Sequence, residues 1–349
     1  MNSLLRSFGP LLTAVILLLS GVWILGMIVA PQLIMVEKSF WYMDLGSDAV
    51  TLSNRINNLY NDVDLLRFDK ADAEALPASP ERDGKIAELG ARIEAQVAEI
   101  EKLESQEIAP KKVYSLRNYT IMGTAHFMIF IKTILASLAV TVIAFVVCYP
   151  IAYAVAKLAP PGKVAIIMLG LIVPYSINEL LRIFAWLMIL NYNGVANFFI
   201  GLMGIDPVPF LESGTGVFVA MVYAYILFMV FPIYNTVETL DTNQIEAARD
   251  LGAPAWKIHW RIVLPHAKPG IAVGAIMTFM LSAGSYAVPY IMTRGIAPPW
   301  FTQLIYNKFF ESANWNTGAA YAFTLLIACI AFIFVLMRLF RVGIKEIAR

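Results

Sequence analysis

The sequence predicts an all-α, polytopic membrane fold: six transmembrane helices with a helical hairpin inserted after the first. Three observations carry this. The 349 residues are 59% hydrophobic and only 15% charged, with a mean hydropathy of +0.68, too apolar for a soluble domain of this length. Six apolar runs approach the roughly 20 residues a bilayer-crossing helix needs. Between the first and second runs lies a long charged stretch with apolar residues at helical spacing.

The first run, 11–36, follows Arg6 and lacks a small-residue cleavage site, so it predicts a retained anchor rather than a signal peptide. In the following stretch, Leu52, Ile56, Leu59, Val63 and Leu66 recur at three- and four-residue steps. Ile86, Leu89, Ile93, Val97, Ile100 and Leu103 do so again. Residues 71–84 separate them, with Pro77, Pro80 and Gly84 as breakers. Two helices zipped along apolar seams are expected. The hairpin either contacts a partner or is a self-stabilising insertion. The remaining runs are 127–156, 164–190, 216–237, 270–292 and 318–340.

Orientation follows from Lys and Arg in the short loops. With the N-terminus inside, the cytoplasmic face receives Arg6, Lys157, Lys163, Arg249, Lys257, Arg261, Lys268, Arg338, Arg341, Lys345 and Arg349. The outer face receives none between Asn191 and Thr215, and only Arg294 and Lys308 in the last outer loop. The expected organisation is a cytoplasmic N-terminus with the first span (1–36), a periplasmic hairpin (37–126), and a five-helix core (127–340) with a cytoplasmic loop at 238–268. A cytoplasmic tail (341–349) follows.

Several function classes find no support. Net charge is +1, so no global field points to nucleic acid. Cys148 and Cys329 both lie in apolar runs, as buried thiols do, and His126, His259 and His266 have no ligand-spaced partners. Gly84-Lys85 and Gly162-Lys163 lack the upstream Gly and the following Ser or Thr of a phosphate-binding loop. No nucleophile–base pair stands in the spans.

The loop at 238–268 is the most informative stretch. Glu246, Ala247 and Ala248 suit a helix start, where an acidic side chain meets the positive end of the dipole. Gly252 suits a helix stop or a close backbone approach. Trp256, Ile258 and Ile262 then form an apolar stripe, with Lys257, His259 and Arg261 between them, and Pro265 closes the segment before the next span. Glu-Ala-Ala, three residues, Gly, nine residues, then Ile-x-Leu-Pro resembles the EAA motif of bacterial ABC importer permeases. Glu246, Ala247, Ala248, Gly252, Ile262, Leu264 and Pro265 all fall in register.

Further stretches resemble the spermidine/putrescine branch of those permeases. They are Tyr149-Pro150-Ile151-Ala152-Tyr153, Leu181-Arg182-Ile183-Phe184-Ala185-Trp186 with Asn193-Gly194, Gly284-Ser285-Tyr286-Ala287-Val288-Pro289, and Asn314-Trp315 with Gly318-Ala319-Ala320. The likeness covers about residues 120–340 and part of the first span. Relatives of that branch carry iron, opines, phosphonates or other small solutes, so polyamine is the expectation and these are the alternatives. The resemblance implies a bacterial inner-membrane subunit that is not itself an enzyme and holds no cofactor, ATP and Mg being bound by a separate cytoplasmic ATPase dimer. It also implies a second homologous permease, a periplasmic solute-binding protein and surrounding lipid as partners, and no nucleic acid. The motif segment would be the coupling helix that docks on the ATPase. Glu246 would anchor it by charge or capping, and Trp256, Ile262 and Leu264 would pack it against the spans.

Candidate substrate residues come from cost. A charge within a span is expensive, about 2.5–3.5 kcal/mol on insertion scales, and so faces a cavity or a partner. Glu179 and Arg182, three apart beside Asn178, either pair on one helical face or line the pathway, with Glu179 meeting a cationic amine. Lys132 snorkels from a span end. Trp186, Tyr223, Tyr225 and Tyr286 offer aromatic faces to an alkylammonium, or serve as packing. Ser282, Ser285 and Gly284 permit close packing or an open backbone. An ATPase-independent secondary transporter would leave the EAA segment unexplained, and a membrane-anchored sensor or scaffold with the hairpin as its working part would predict a cytoplasmic signalling domain.

Overall fold

A computed structural model describes residues 2–44, 46–74, 80–104, 111–293 and 299–343. Pro77, Arg294, Lys345 and Arg349, used above for the hairpin turn and the orientation, lie outside these residues. The chain divides into two compact units: residues 40–117, and the two flanking segments together.

In the larger unit, α1 (Asn2–Trp23) continues through a π-turn, Ile24–Val29, into α2 (Ala30–Ser39). The smaller unit holds strands β1 (Trp41–Asp44) and β2 (Lys111–Tyr114) and helices α3 (Gly46–Glu74) and α4 (Pro80–Glu104). Ile56, Val63 and Ile100 are buried between α3 and α4, flanked by Leu52, Leu59, Ile93, Val97 and Leu103. Arg55 bonds Glu99 at 2.7 Å, an exposed pair contributing roughly 0–1 kcal/mol, so the apolar seam holds the hairpin. The Tyr60 hydroxyl donates to Glu104 at 2.8 Å, and that carboxylate pushes the phenol pKa up.

Two expectations change here. Pro80 and Gly84 do not break the chain: Pro80 opens α4 and Gly84 lies inside it, because proline at the first helical position loses no bond it could have made. A two-stranded antiparallel ribbon, pairing Trp41 with Tyr114, also joins the otherwise helical architecture. Lys112 lies over the Trp41 and Tyr114 rings at 4.5 and 4.9 Å.

The short α5 (Arg117–Thr120) leads to the core: α6 (Thr124–Tyr153) with a π-turn to Leu158, α7 (Pro161–Ile172), α8 (Glu179–Ile189), α9 (Val195–Leu202) and α10 (Thr215–Glu238). Then come α11 (Thr242–Asp250), α12 (Ala255–Ile258), α13 (Leu264–Ala283), α14 (Ala287–Thr293), α15 (Phe301–Tyr306) and α16 (Trp315–Phe340). Among the described residues, five helical runs are long and apolar enough to cross a membrane, and a bent pair makes a sixth. That pair is the expected third span. It bends by 94° between residues 162–176 and 179–189, where Pro174 and a 3-10 turn interrupt it and the Asn178 side chain accepts the Leu180 amide as a cap. The fifth span starts earlier than its apolar run suggests, at Ala255, and ends at Ala283.

Small residues set the core packing. Gly270 and Gly274, four apart on α13, let α10 come close. A Cβ on Gly270 would overlap the Pro232 carbonyl and the Thr236 hydroxyl, and one on Gly274 would lie 2.9 Å from the Met229 sulfur. Overpacking a tight core costs about 1–3 kcal/mol, sometimes more. Gly270→Val therefore lowers the thermal midpoint of the purified protein and its yield, whereas the same change at Gly170, which has open space, leaves the melting curve in place.

Candidate functional sites: the coupling segment and the bend in the third span

The candidate coupling segment begins with a helix, α11, closed at both ends. Asp241, not Glu246, caps α11: its carboxylate accepts the Asn243 amide at 3.0 Å. Glu246 sits mid-helix and exposed, so the capping role expected for it passes to Asp241. At the other end the Ala253 amide bonds Ala248 O at 3.0 Å and the Gly252 amide bonds Arg249 O at 2.8 Å, the two bonds of a Schellman close. Gly252 has φ +75° and open space where a Cβ would stand. Its requirement is backbone conformation, not close approach.

After Pro254, α12 runs through a π-turn, His259–Val263, directly into α13. Pro265 therefore does not end the segment. It follows the π-turn, whose closing bond runs from the Leu264 amide to His259 O, inside a helix that continues to Ala283. Ile245, Ile258 and Val263 are buried, and Ile262 and Leu264 pack against the same cluster. Trp256 does not: it is 66% exposed, as is Trp260, and Leu251 is 88% exposed. The segment thus holds the core by its aliphatic side and presents Leu251 and Trp256 outward.

The second site lies at the bend. Glu179 and Arg182 form no ion pair. The Arg182 guanidinium lies 4.2 Å from the centre of the Tyr175 ring, and its Nε and Nη1 are buried with no hydrogen-bond acceptor among the described residues. The reason is local: helical side chains lean toward the N-terminus, which carries Arg182 back onto the 3-10 turn, while Glu179, first in α8, stays exposed. Tyr225 and Ser285 are both buried. Thr302 donates to the Ser285 carbonyl at 2.7 Å, fixing the break after α13.

Glu179 and Arg182 thus share the start of α8 at the bend, while Tyr225 and Ser285 are buried in the core. Trp186 and Tyr223 pair separately, edge to face at 5.2 Å. Tyr286 belongs to another stack, with Tyr290 and Tyr306 at 5.1 and 4.5 Å. Ser282 bonds the Phe279 carbonyl inside α13. Lys132 is exposed beside a small cavity shared with Glu212.

Sequence reasoning passed over Tyr175 and Phe228. Tyr175 takes Arg182 on its ring, meets Phe228 edge to face at 5.8 Å, and lines a cavity of about 430 Å³ with Phe228, Phe231, Asn235 and Met277. Pro174, next to Tyr175 in an apolar run, was the available signal.

Comparison with known proteins agrees with this architecture. The family described as binding-protein-dependent transport system inner membrane component matches residues 150–345. The chain is similar to the spermidine/putrescine transport system permease protein PotB of Escherichia coli, 33% identical over 221 residues, covering 62% of this chain and 79% of that protein. It is similar to PotB of Haemophilus influenzae at 29% over 230 residues, 64% and 79% covered. The inner membrane ABC transporter permease protein YdcU of Escherichia coli is 28% identical, with 59% and 69% covered. Among solved structures, a bacterial ABC transporter that imports the acidic polysaccharide alginate superposes with a TM-score of 0.53 at 16% identity, covering 66% of this chain and 84% of that one. The alginate transporter bound to its pentasaccharide-loaded periplasmic protein gives 0.53 at 17%, with 65% and 83% covered; both are likenesses of fold. With a family match over more than half its length, this chain belongs to the binding-protein-dependent transport system inner membrane components, as a permease subunit of an ABC importer.

Proposed function

We propose that this chain is one of two permease subunits of a polyamine importer, taking putrescine or spermidine from a periplasmic binding protein. The single observation that carries the substrate class is the separation of Glu179 from Arg182. With the guanidinium held on Tyr175, the Glu179 carboxylate keeps its charge free for an ammonium. The relatives named as spermidine/putrescine permeases support the same class.

The loop charges orient the chain with both termini and the 238–268 loop in the cytoplasm. There Leu251 and Trp256 dock on a separate ATPase dimer, which binds ATP and Mg; this chain contributes mechanics, not hydrolysis. Glu246, exposed beside Leu251, anchors that contact by charge. The hairpin lies on the periplasmic side as a contact for the binding protein or the second permease. ATP binding draws the coupling segment with the closing ATPase, and α13, continuous with it, swings the core between inward- and outward-facing states.

Membrane vesicles from cells with and without this chain, loaded with ATP and supplied with the binding protein, test this reading. Labelled putrescine or spermidine accumulates only where the chain is present. Equal accumulation in both refutes the proposal. Uptake of a carboxylate solute instead would turn attention to the two unmet N–H groups of Arg182.

A further inference from the structure

We infer that Tyr149, Tyr153 and Lys157 form a latch that fixes the coupling segment to the second span, so that α6 moves with it as one body. The inference rests on the coupling reading above.

The three residues recur at steps of four, along one face of α6 and the π-turn that extends it. Each takes hold of the loop that carries α11. Lys157 Nζ donates to the carbonyl oxygens of Glu238 and Leu240, where α10 ends and before α11 begins. The Tyr149 hydroxyl shares a 2.7 Å hydrogen bond with His259 Nδ1, after α11 has ended. The Tyr153 ring stands edge-on to the same imidazole at 4.5 Å. The coupling helix is therefore bracketed on both sides by one face of one span.

Around these grips, Cys148, Ala152, Val237, Leu240, Ile245, Ile258 and Val263 form a single buried cluster. Apolar packing of this kind resists separation but tolerates sliding. Hydrogen bonds add direction to that packing, and grips that flank α11 in sequence restrain the loop at both of its ends. Pulling on α11 thus reaches α6 as well as α13, to which the segment is continuous. These are positioning residues: they touch no solute.

The test uses the complete importer, purified with its ATPase, second permease and binding protein, and measures putrescine taken up per ATP hydrolysed. Tyr149→Phe removes one hydroxyl and keeps the ring. It and His259→Phe each lower that ratio about fivefold, the scale of one lost hydrogen bond, with assembly unchanged. The double variant is no worse than either single one, and His259→Gln, which can still bond the phenol, recovers part of the loss. Spin labels at exposed Val146 and Ala255 add a readout that needs no transported solute. Their separation stays fixed on nucleotide binding in the unsubstituted importer and broadens in Tyr149→Phe.

A wild-type ratio in Tyr149→Phe, additive losses in the double variant, or a label separation that shifts with nucleotide in the unsubstituted importer overturns the latch. If Gly252→Asp also keeps the wild-type ratio, both claims fall and the fault lies in the coupling reading.

Discussion

Replacing Gly252 with Asp uncouples ATP hydrolysis from uptake. Gly252 sits at φ +75°, and a left-handed backbone costs most L-residues roughly 1–2 kcal/mol. Space is not the issue, since nothing lies within 4 Å of a Cβ there. The damage comes from loosening the two bonds that close α11 and from placing a negative charge at the negative end of the helix dipole. Together these lower uptake per ATP about tenfold, the factor that about 1.4 kcal/mol represents, while the complex still assembles. Gly252→Asn separates the causes, because asparagine tolerates the left-handed region and carries no charge; it retains most of the coupling. Measuring hydrolysis and uptake together on both variants decides the matter. Normal uptake in Gly252→Asp removes the coupling role from this segment.

Neutralising Glu179 produces the second large effect. Glu179→Gln raises the half-saturating concentration for a diamine about tenfold or abolishes uptake, with assembly intact, because the carboxylate is the free charge at the bend and the amide cannot replace it. Arg182→Gln does not compensate. Its guanidinium lies on Tyr175 rather than on Glu179, so the double variant is as impaired as Glu179→Gln alone. Normal uptake by the double variant would restore the ion pair that the structure lacks.

Much of this was legible in the chain. The hairpin seam from Leu52 to Leu103 repeats at helical spacing, and the buried residues follow that spacing. The candidate coupling segment stands out because Gly252 and Pro265 lie at fixed distances from Glu246. Its true start is also readable: Asp241 followed three residues later by Gln244 is a capping signature. The bend at Pro174 was hidden because residues 164–190, despite Asn178, Glu179 and Arg182, are apolar enough on average to read as one span. Hydropathy sees composition, not direction.

Other features depend on contacts that no local pattern encodes. The strands Trp41–Asp44 and Lys111–Tyr114 are four residues each and pair across the whole hairpin, too short and too distant to recognise singly. Glu179 and Arg182 have ideal spacing for a helical pair, yet an aromatic ring seven residues upstream captures the guanidinium. Spacing gave the possible partner, and the 3-10 turn decided the actual one.

The most direct measurement is the ATPase rate of the reconstituted importer, with binding protein present, across putrescine, spermidine, an opine, an aminophosphonate and ferric iron. Stimulation by the two polyamines alone, lost in Gly252→Asp, is the predicted result. Stimulation by an anionic or zwitterionic solute, with the polyamines inert, would contradict it and assign the bend to Arg182 rather than Glu179.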